Sequence, residues 1–148
     1  MLTHKGTKTL ETPRLILRRA LREDAAPMFR NWASDPEVTK YLTWPAYKSR
    51  EDAYPILDLW IESYEKPDFY QWMIVLKELG EPIGSISVVR QREDIGEAEV
   101  GYCIGKTWWH KGIMTEALGA VMEYLFREVG MTRVASRHDP NNPHSGAV

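Results

Sequence analysis

A mixed α/β (α+β) fold around one central sheet is the class this sequence predicts, and three observations carry it. Hydrophobic periodicity alternates between the strand and helix periods in the order β-α-α-β-β-β-α-β. A strand, a loop at Gly112, a helix and a further strand follow one another, which implies a parallel crossover. Two branched, aromatic runs flank the turn Gly80-Glu81-Pro82, the pattern of a hairpin. With 148 residues, the chain reads as a single domain over 1–148, since domains run to roughly 100–200 residues.

The elements follow in order. Residues 1–11 are polar and expected to fray. Arg14 to Arg18 reads as a strand, preceded by Pro13 and closed by Arg22-Glu23-Asp24. Asp24 is expected to cap a helix carrying Met28, Phe29 and Trp32, which Asp35-Pro36 stops. After the aromatic stretch Tyr41 to Pro45, Ser49 and Asp52 make an acidic variant of a capping box. Ile56, Leu57, Trp60, Ile61 and Tyr64 then form the stripe of an amphipathic helix, with Pro55 tolerated only in its first turns. Tyr70 to Leu76 and Ile83 to Val89 form the hairpin, with Ile83, Ser85 and Ser87 alternating against Ile86 and Val88. Ala98 to Ile104 is a third strand of this group. From Thr115 a helical pattern runs through Leu118, Val121, Met122, Leu125 and Phe126 and stops at Gly130. Met131 to Ser136 is a last strand. A sheet ending there would leave an open edge, so a C-terminal piece is expected to be missing.

Composition removes several function classes. Nineteen basic against 21 acidic residues leave a net charge of -2, against the basic excess that nucleic-acid binding needs. No apolar run approaches the ~18 residues of a membrane helix, and the N-terminus lacks the apolar core of a signal peptide. The single cysteine, Cys103, rules out an internal disulfide framework and a multi-cysteine zinc site. A cytoplasmic protein without metal is expected. Six Trp, seven Tyr and three Phe read first as core filling, and together suggest a sheet-and-helix core with a cleft.

Chemistry concentrates in Gly101 to Leu118, where two phosphate-binding readings compete. A nucleotide P-loop needs four residues between its glycines; Gly101 and Gly105 enclose three, and Trp108, Trp109 and His110 follow where a helix should start. The second reading places the loop at Trp109 to Met114, opening onto the helix from Thr115. Gly112 lets a phosphate approach the backbone, and the first helical amides lack intrahelical partners and face the positive end of the dipole. A lone glycine before a helix is also common in ordinary turns, so spacing alone leaves this open.

Val100-Gly101-Tyr102-Cys103-Ile104, followed by Trp109-His110-Lys111-Gly112-Ile113-Met114-Thr115-Glu116-Ala117, resembles the acetyl-CoA motif of the GNAT N-acetyltransferases. Leu10 to Arg18 matches the L-x-T-x-R-L-x-L-R that often opens the branch that includes the acetyltransferases of ribosomal-protein N-termini. Asn142-Pro143-His144-Ser145 matches that branch's N-x-x-S. The resemblance implies a GNAT-like fold cut short before its final helix and strands. It also implies an acyltransferase that uses acetyl-CoA as co-substrate. Cofactor contacts would come from Cys103, Ile104, Trp109, His110, Lys111, Gly112, Ile113, Met114, Thr115 and Asn142. Trp109 and Met114 depart from the superfamily's Q/R-x-x-G-x-G/A, but main-chain amides, which any residue supplies, hold the pyrophosphate.

The implied reaction is attack of a neutral amine on the thioester, in a ternary complex. Alkylamines are protonated at neutral pH, with pKa near 10 for a lysine-type amine and roughly 8 for an α-amino group, so a base is needed. Glu99, two residues before Gly101, is the candidate; Glu97, with the same strand parity, competes, and a solvent-facing carboxylate explains either. Ser145 is the candidate proton donor to the leaving thiolate or a plain helix N-cap, and Asn142 a cofactor contact or a turn former. Cys103 could carry acetyl but fits an inert strand cysteine better, and His138 and His144 lack the spacing of metal ligands. Trp44, Tyr47, Trp60 and Tyr64 lie in the loop and second helix, which the resemblance implies flank the acceptor, where they would shape a slot. The acceptor stays open between a peptide N-terminus and a small amine, as do a non-catalytic CoA-binding module and a homodimer.

Overall fold

The alternation of the strand segments is realised as one six-stranded sheet, seen in a computed structural model that describes residues 4–34, 48–92, 95–108 and 111–136. Its strands are β1 (Leu10–Glu11), β2 (Leu15–Arg18), β3 (Gln71–Leu76), β4 (Glu81–Arg92), β5 (Glu97–Ile104) and β6 (Arg133–Ser136), side by side in that order. Neighbours are antiparallel except β5 and β6, whose parallel pairing runs from Glu97 opposite Arg133 to Val100 opposite Ser136. Three helices accompany the sheet among the described residues: α1 (Ala25–Met28), α2 (Tyr54–Ser63) and α3 (Ile113–Tyr124). The last makes the expected crossover between the two parallel strands.

Period-two alternation sorts the strand side chains onto two faces. Leu15, Leu17, Trp72, Ile74, Ile86, Ala98, Val100 and Ile104 point to one face and pack against Ile113, Met114, Ala117, Val121 and Leu125 of the α3 segment. Met73 points the other way, into a second cluster with Met28, Trp32, Leu57, Trp60 and Tyr64. At its far end α3 closes through a π-turn (Leu125–Val129) onto Gly130, which takes the left-handed conformation (φ 94°) of a C-terminal cap.

Several expectations are corrected. The N-terminal segment is fastened rather than frayed. Gly6 and Thr7 are buried, and the Thr7 hydroxyl donates to Phe69 O at 2.9 Å. Trp72 Nε1 donates to Lys8 O (2.7 Å) and the Tyr124 hydroxyl to Gly6 O (2.8 Å), so core aromatics satisfy their polar atoms on this segment. The first helix opens with a 3-10 turn at Arg22 to Asp24 and continues as a π-turn through Ala33. Asp24 is buried and accepts two 2.9 Å hydrogen bonds from Arg18 and one from Leu21 N–H. Ile83 joins Ile86 in the α3-side core because the register shifts between Ile74 and Val75, which reverses the expected alternation. Ile61 is exposed, at the edge of the α2 stripe. The stop at Asp35-Pro36 and the stretch Tyr41 to Pro45 lie outside the described residues.

Candidate active site

Strand β5 presents its residues alternately: Ala98, Val100 and Ile104 enter the α3-side core, so Glu97, Glu99, Gly101 and Cys103 face the side of α1 and α2. Gln71, Ser85 and Ser87 share that face through the registers Gln71 to Ser87, Ser87 to Gly101 and Ser85 to Cys103. The two candidate bases differ in company. Glu97 lies 3.7 Å from the Arg133 guanidinium, whereas among the described residues Glu99 makes no ion pair. Glu99 is half-buried. Cys103 also faces this side, with its Sγ 3.6 Å from Ser85 Oγ; burial pushes the thiol up, away from the thiolate a nucleophile requires.

The loop that follows β5 ends at Gly112, which caps α3 in the left-handed conformation (φ 75°). Among the described residues a Cβ there would find one atom within 4 Å, Arg14 Nη2 at 3.5 Å, which leaves the backbone open to close approach on that side. Helical bonding begins with the Glu116 N–H to Gly112 O (3.1 Å), so the amides of Ile113 and Met114 precede the first intrahelical bond. The side chains of Ile113 and Met114 are buried in the core. The bulk of Met114 therefore stays out of the loop, and only its amide remains to serve a ligand.

The loop is tied to the start of β2. Glu116 Oε1 accepts from Arg14 Nε (2.8 Å), and Oε2 accepts from Arg14 N–H (3.0 Å) and from the Thr12 hydroxyl. Arg14 Nη1 donates to Lys111 O at 3.0 Å. Burial would raise the Glu116 carboxyl, but hydrogen bonds from Thr12 and Arg14 outweigh it and hold it below the usual carboxylate range. Both motifs were visible in sequence, yet their contact was not, since Arg14 and Glu116 lie 102 residues apart.

Trp60 and Tyr64, expected as walls of an acceptor slot, are core residues of the α1–α2 cluster. The Tyr64 hydroxyl accepts from Ala20 N–H and donates to Gln71 O, each at 2.8 Å, and burial pushes it up to about 12. Trp44, Tyr47, Trp109, His110, His138, Asn142, His144 and Ser145 lie outside the described residues. Among the described residues no group of His, Cys, Asp or Glu could hold a metal ion, and no helix is long and apolar enough to cross a membrane.

The profile of the acetyltransferase (GNAT) domain family matches residues 14–148. The chain is 31% identical over 138 residues to the uncharacterized N-acetyltransferase p20 of Bacillus licheniformis, spanning 93% of this chain and 77% of that one. It is 26% identical over 143 residues to the ribosomal protein uS5 alanine N-acetyltransferase of Escherichia coli, spanning 93% and 73%. Its fold superposes on the microcin C7 self-immunity acetyltransferase MccE, solved with acetyl-CoA and AMP, with a TM-score of 0.79 over 92% of this chain and 76% of that one, at 19% identity.

Proposed function

The chain belongs to the GNAT acetyltransferase family, and from that membership we propose that it transfers acetyl from acetyl-CoA to a protein N-terminal α-amine by direct attack in a ternary complex. As a member it is an acyl-CoA-dependent N-acetyltransferase. The observation that carries the cofactor reading is the start of α3: a left-handed, sterically open Gly112 followed by the amides of Ile113 and Met114, whose side chains are withdrawn into the core. A diphosphate suits that place, because amides ahead of the first helical bond and the positive dipole end both favour an anion. Acetyl-CoA, when bound, supplies an acetyl group activated as a thioester.

The chain's own residues supply the rest. Lys111, Gly112, Ile113, Met114 and Thr115 would hold the phosphates through their main chain, with Trp109, His110 and Asn142 as further contacts, and Cys103 and Ile104 flanking the thioester arm. Glu99 would take the ammonium proton, directly or through one water; freedom from an ion pair among the described residues favours it over Glu97, which is engaged by the Arg133 guanidinium at 3.7 Å. Ser145 would return a proton to the leaving thiolate. Alignment of amine and thioester can contribute about 7–11 kcal/mol, so side-chain chemistry need only supplement it.

A peptide acceptor is supported by the match of Leu10 to Arg18 to the ribosomal-protein branch and by the uS5 alanine N-acetyltransferase relative. The acidic groups of the α2 region argue less for a cationic small amine: Asp58 pairs with Arg22 at 2.8 Å and Asp52 accepts from Lys48 N–H. A single domain fits a sheet that both apolar clusters share, and a cytoplasmic site of action belongs to the same proposal. Calorimetric titration with acetyl-CoA and ATP tests the cofactor: binding of acetyl-CoA and none of ATP is expected, and the reverse overturns the reading. Mass spectrometry over a panel of peptides and polyamines tests the acceptor. Acetylation of peptide α-amines is expected; exclusive acetylation of polyamines refutes the peptide reading, and product from neither makes the chain a CoA-binding module.

A further inference from the structure

We propose that Arg14, held by Glu116 and Thr12, is a positioning residue for acetyl-CoA: it clamps both ends of the Gly112 turn and so sets the direction of the amides that meet the diphosphate. The inference rests on the assignment of that turn as the phosphate site.

Arg14 is itself anchored to the sheet, because Lys77 N–H donates to Arg14 O (2.9 Å) and the next residue, Leu15, pairs with Leu76. From this fixed point its guanidinium reaches the residue before the turn, through Nη1 to Lys111 O, and the first turn of the helix after it, through Nε to Glu116 Oε1. A peptide unit is planar and its C=O and N–H point in opposite directions. Drawing the Lys111 carbonyl towards Arg14 therefore turns the Gly112 N–H away from it. Glu116, held at both carboxylate oxygens, fixes the rotation of the helix start and with it the amides of Ile113 and Met114. One planar guanidinium that donates through Nε to Glu116 and through Nη1 to Lys111 O defines a direction as well as a distance, which a lysine ammonium cannot do.

The charge balance gives Arg14 a second duty. A carboxylate in the first turn is favourable for the helix dipole but would repel a diphosphate bound at the same end. Arg14 neutralises Glu116 where it stands, and its Nη2 lies beside the open face of Gly112. The pair thus keeps the helix start fit for an anion while holding its shape.

The test compares two acetyl donors, acetyl-CoA and acetylpantetheine, which carries the thioester arm without the diphosphate. Arg14→Met is expected to raise KM for acetyl-CoA about tenfold or more, because it removes the two charge-assisted hydrogen bonds that hold the turn, with kcat changed less than about twofold. Its kcat/KM for acetylpantetheine should not change. Arg14→Lys, which keeps the charge but not the fork, should rescue only part of the loss. Equal losses with both donors would reduce Arg14 to a general structural role and overturn the proposal, as would no loss with either. Should Arg14→Met not fold, judged by circular dichroism, Glu116→Gln puts an amide opposite the Arg14 donors and must show the same donor-specific loss. Gly112→Val, run alongside, separates the two claims. If Gly112→Val weakens acetyl-CoA and the Arg14 variants do not, the clamp fails while the phosphate site stands; if Gly112→Val leaves acetyl-CoA unaffected, the phosphate site itself fails.

Discussion

The two faces of the sheet treat polar atoms in opposite ways. On the α3 side, aliphatic and aromatic side chains fill the space, and the polar tips of Trp72 and Tyr124 are satisfied by carbonyls of the N-terminal segment. On the α1–α2 side, Gln71, Ser85, Ser87, Glu97, Glu99 and Cys103 lie among the apolar residues. The buried polar side-chain atoms without a hydrogen-bond partner among the described residues, Trp32 Nε1 and Gln71 Nε2, are both on that side. A buried donor left unpaired costs about 1–3 kcal/mol, so a face that keeps such donors is not arranged for stability alone. The difference separates an apolar face that holds sheet and helix together from a polar one that carries Glu99, the base of the proposed reaction.

That separation can be broken by substitutions on either face. The largest effect is expected at Glu99. Glu99→Gln keeps the shape but cannot accept a proton, and loss of a general base costs about 10²–10⁴-fold in rate. The cost should be greatest near neutral pH, where the amine is protonated, and shrink towards alkaline pH, where the amine loses its proton unaided; the melting temperature should stay unchanged. A pH-rate profile of both forms checks this, and an equal loss at every pH would assign Glu99 a binding or structural part instead. On the other face Leu125→Ala should do the reverse. It removes a fully buried side chain and should lower unfolding free energy by about 2–5 kcal/mol in a urea titration, with kcat per folded molecule retained.

Gly112 sits at the start of the helix that packs on the apolar face, where the proposed diphosphate site lies. Gly112→Val forces a β-branched residue to φ 75°, a strain of roughly 1–3 kcal/mol, and should weaken acetyl-CoA by about tenfold in calorimetry. The smallest effect sharpens the contrast. Gln71→Met replaces a buried amide whose Nε2 has no partner among the described residues with a side chain of similar length, and should leave stability unchanged or raise it by up to about 1 kcal/mol in the same urea titration.

Much of the fold was legible because it depends on local pattern. The parallel crossover followed from a strand, a glycine turn, an amphipathic helix and a closing Gly130, all contiguous in the chain. The hairpin was equally local, yet the face of Ile83 was not, because a register shift between two strands belongs to the pair and to neither sequence alone. The N-terminal segment read as frayed since nothing in its own polar sequence shows that Phe69, Trp72 and Tyr124 await its backbone. Trp60 and Tyr64 read as slot walls because an aromatic stripe serves a cleft and a core alike.

By itself, then, the sequence determined the succession of elements, the glycine turn at the head of α3, and the parity that puts Glu97 and Glu99 on one side of β5, since each follows from spacing within a few residues. Only the tertiary structure decided which carboxylate is engaged and what holds the turn. Glu97 and Glu99 are equivalent by parity until β6 brings Arg133 beside one of them, at 3.7 Å. Arg14 is an ordinary strand-end cation until the sheet carries it across 102 residues of chain to Glu116. Such contacts are set by the closing of long loops around a shared core, and no local pattern encodes the partner that closure will deliver.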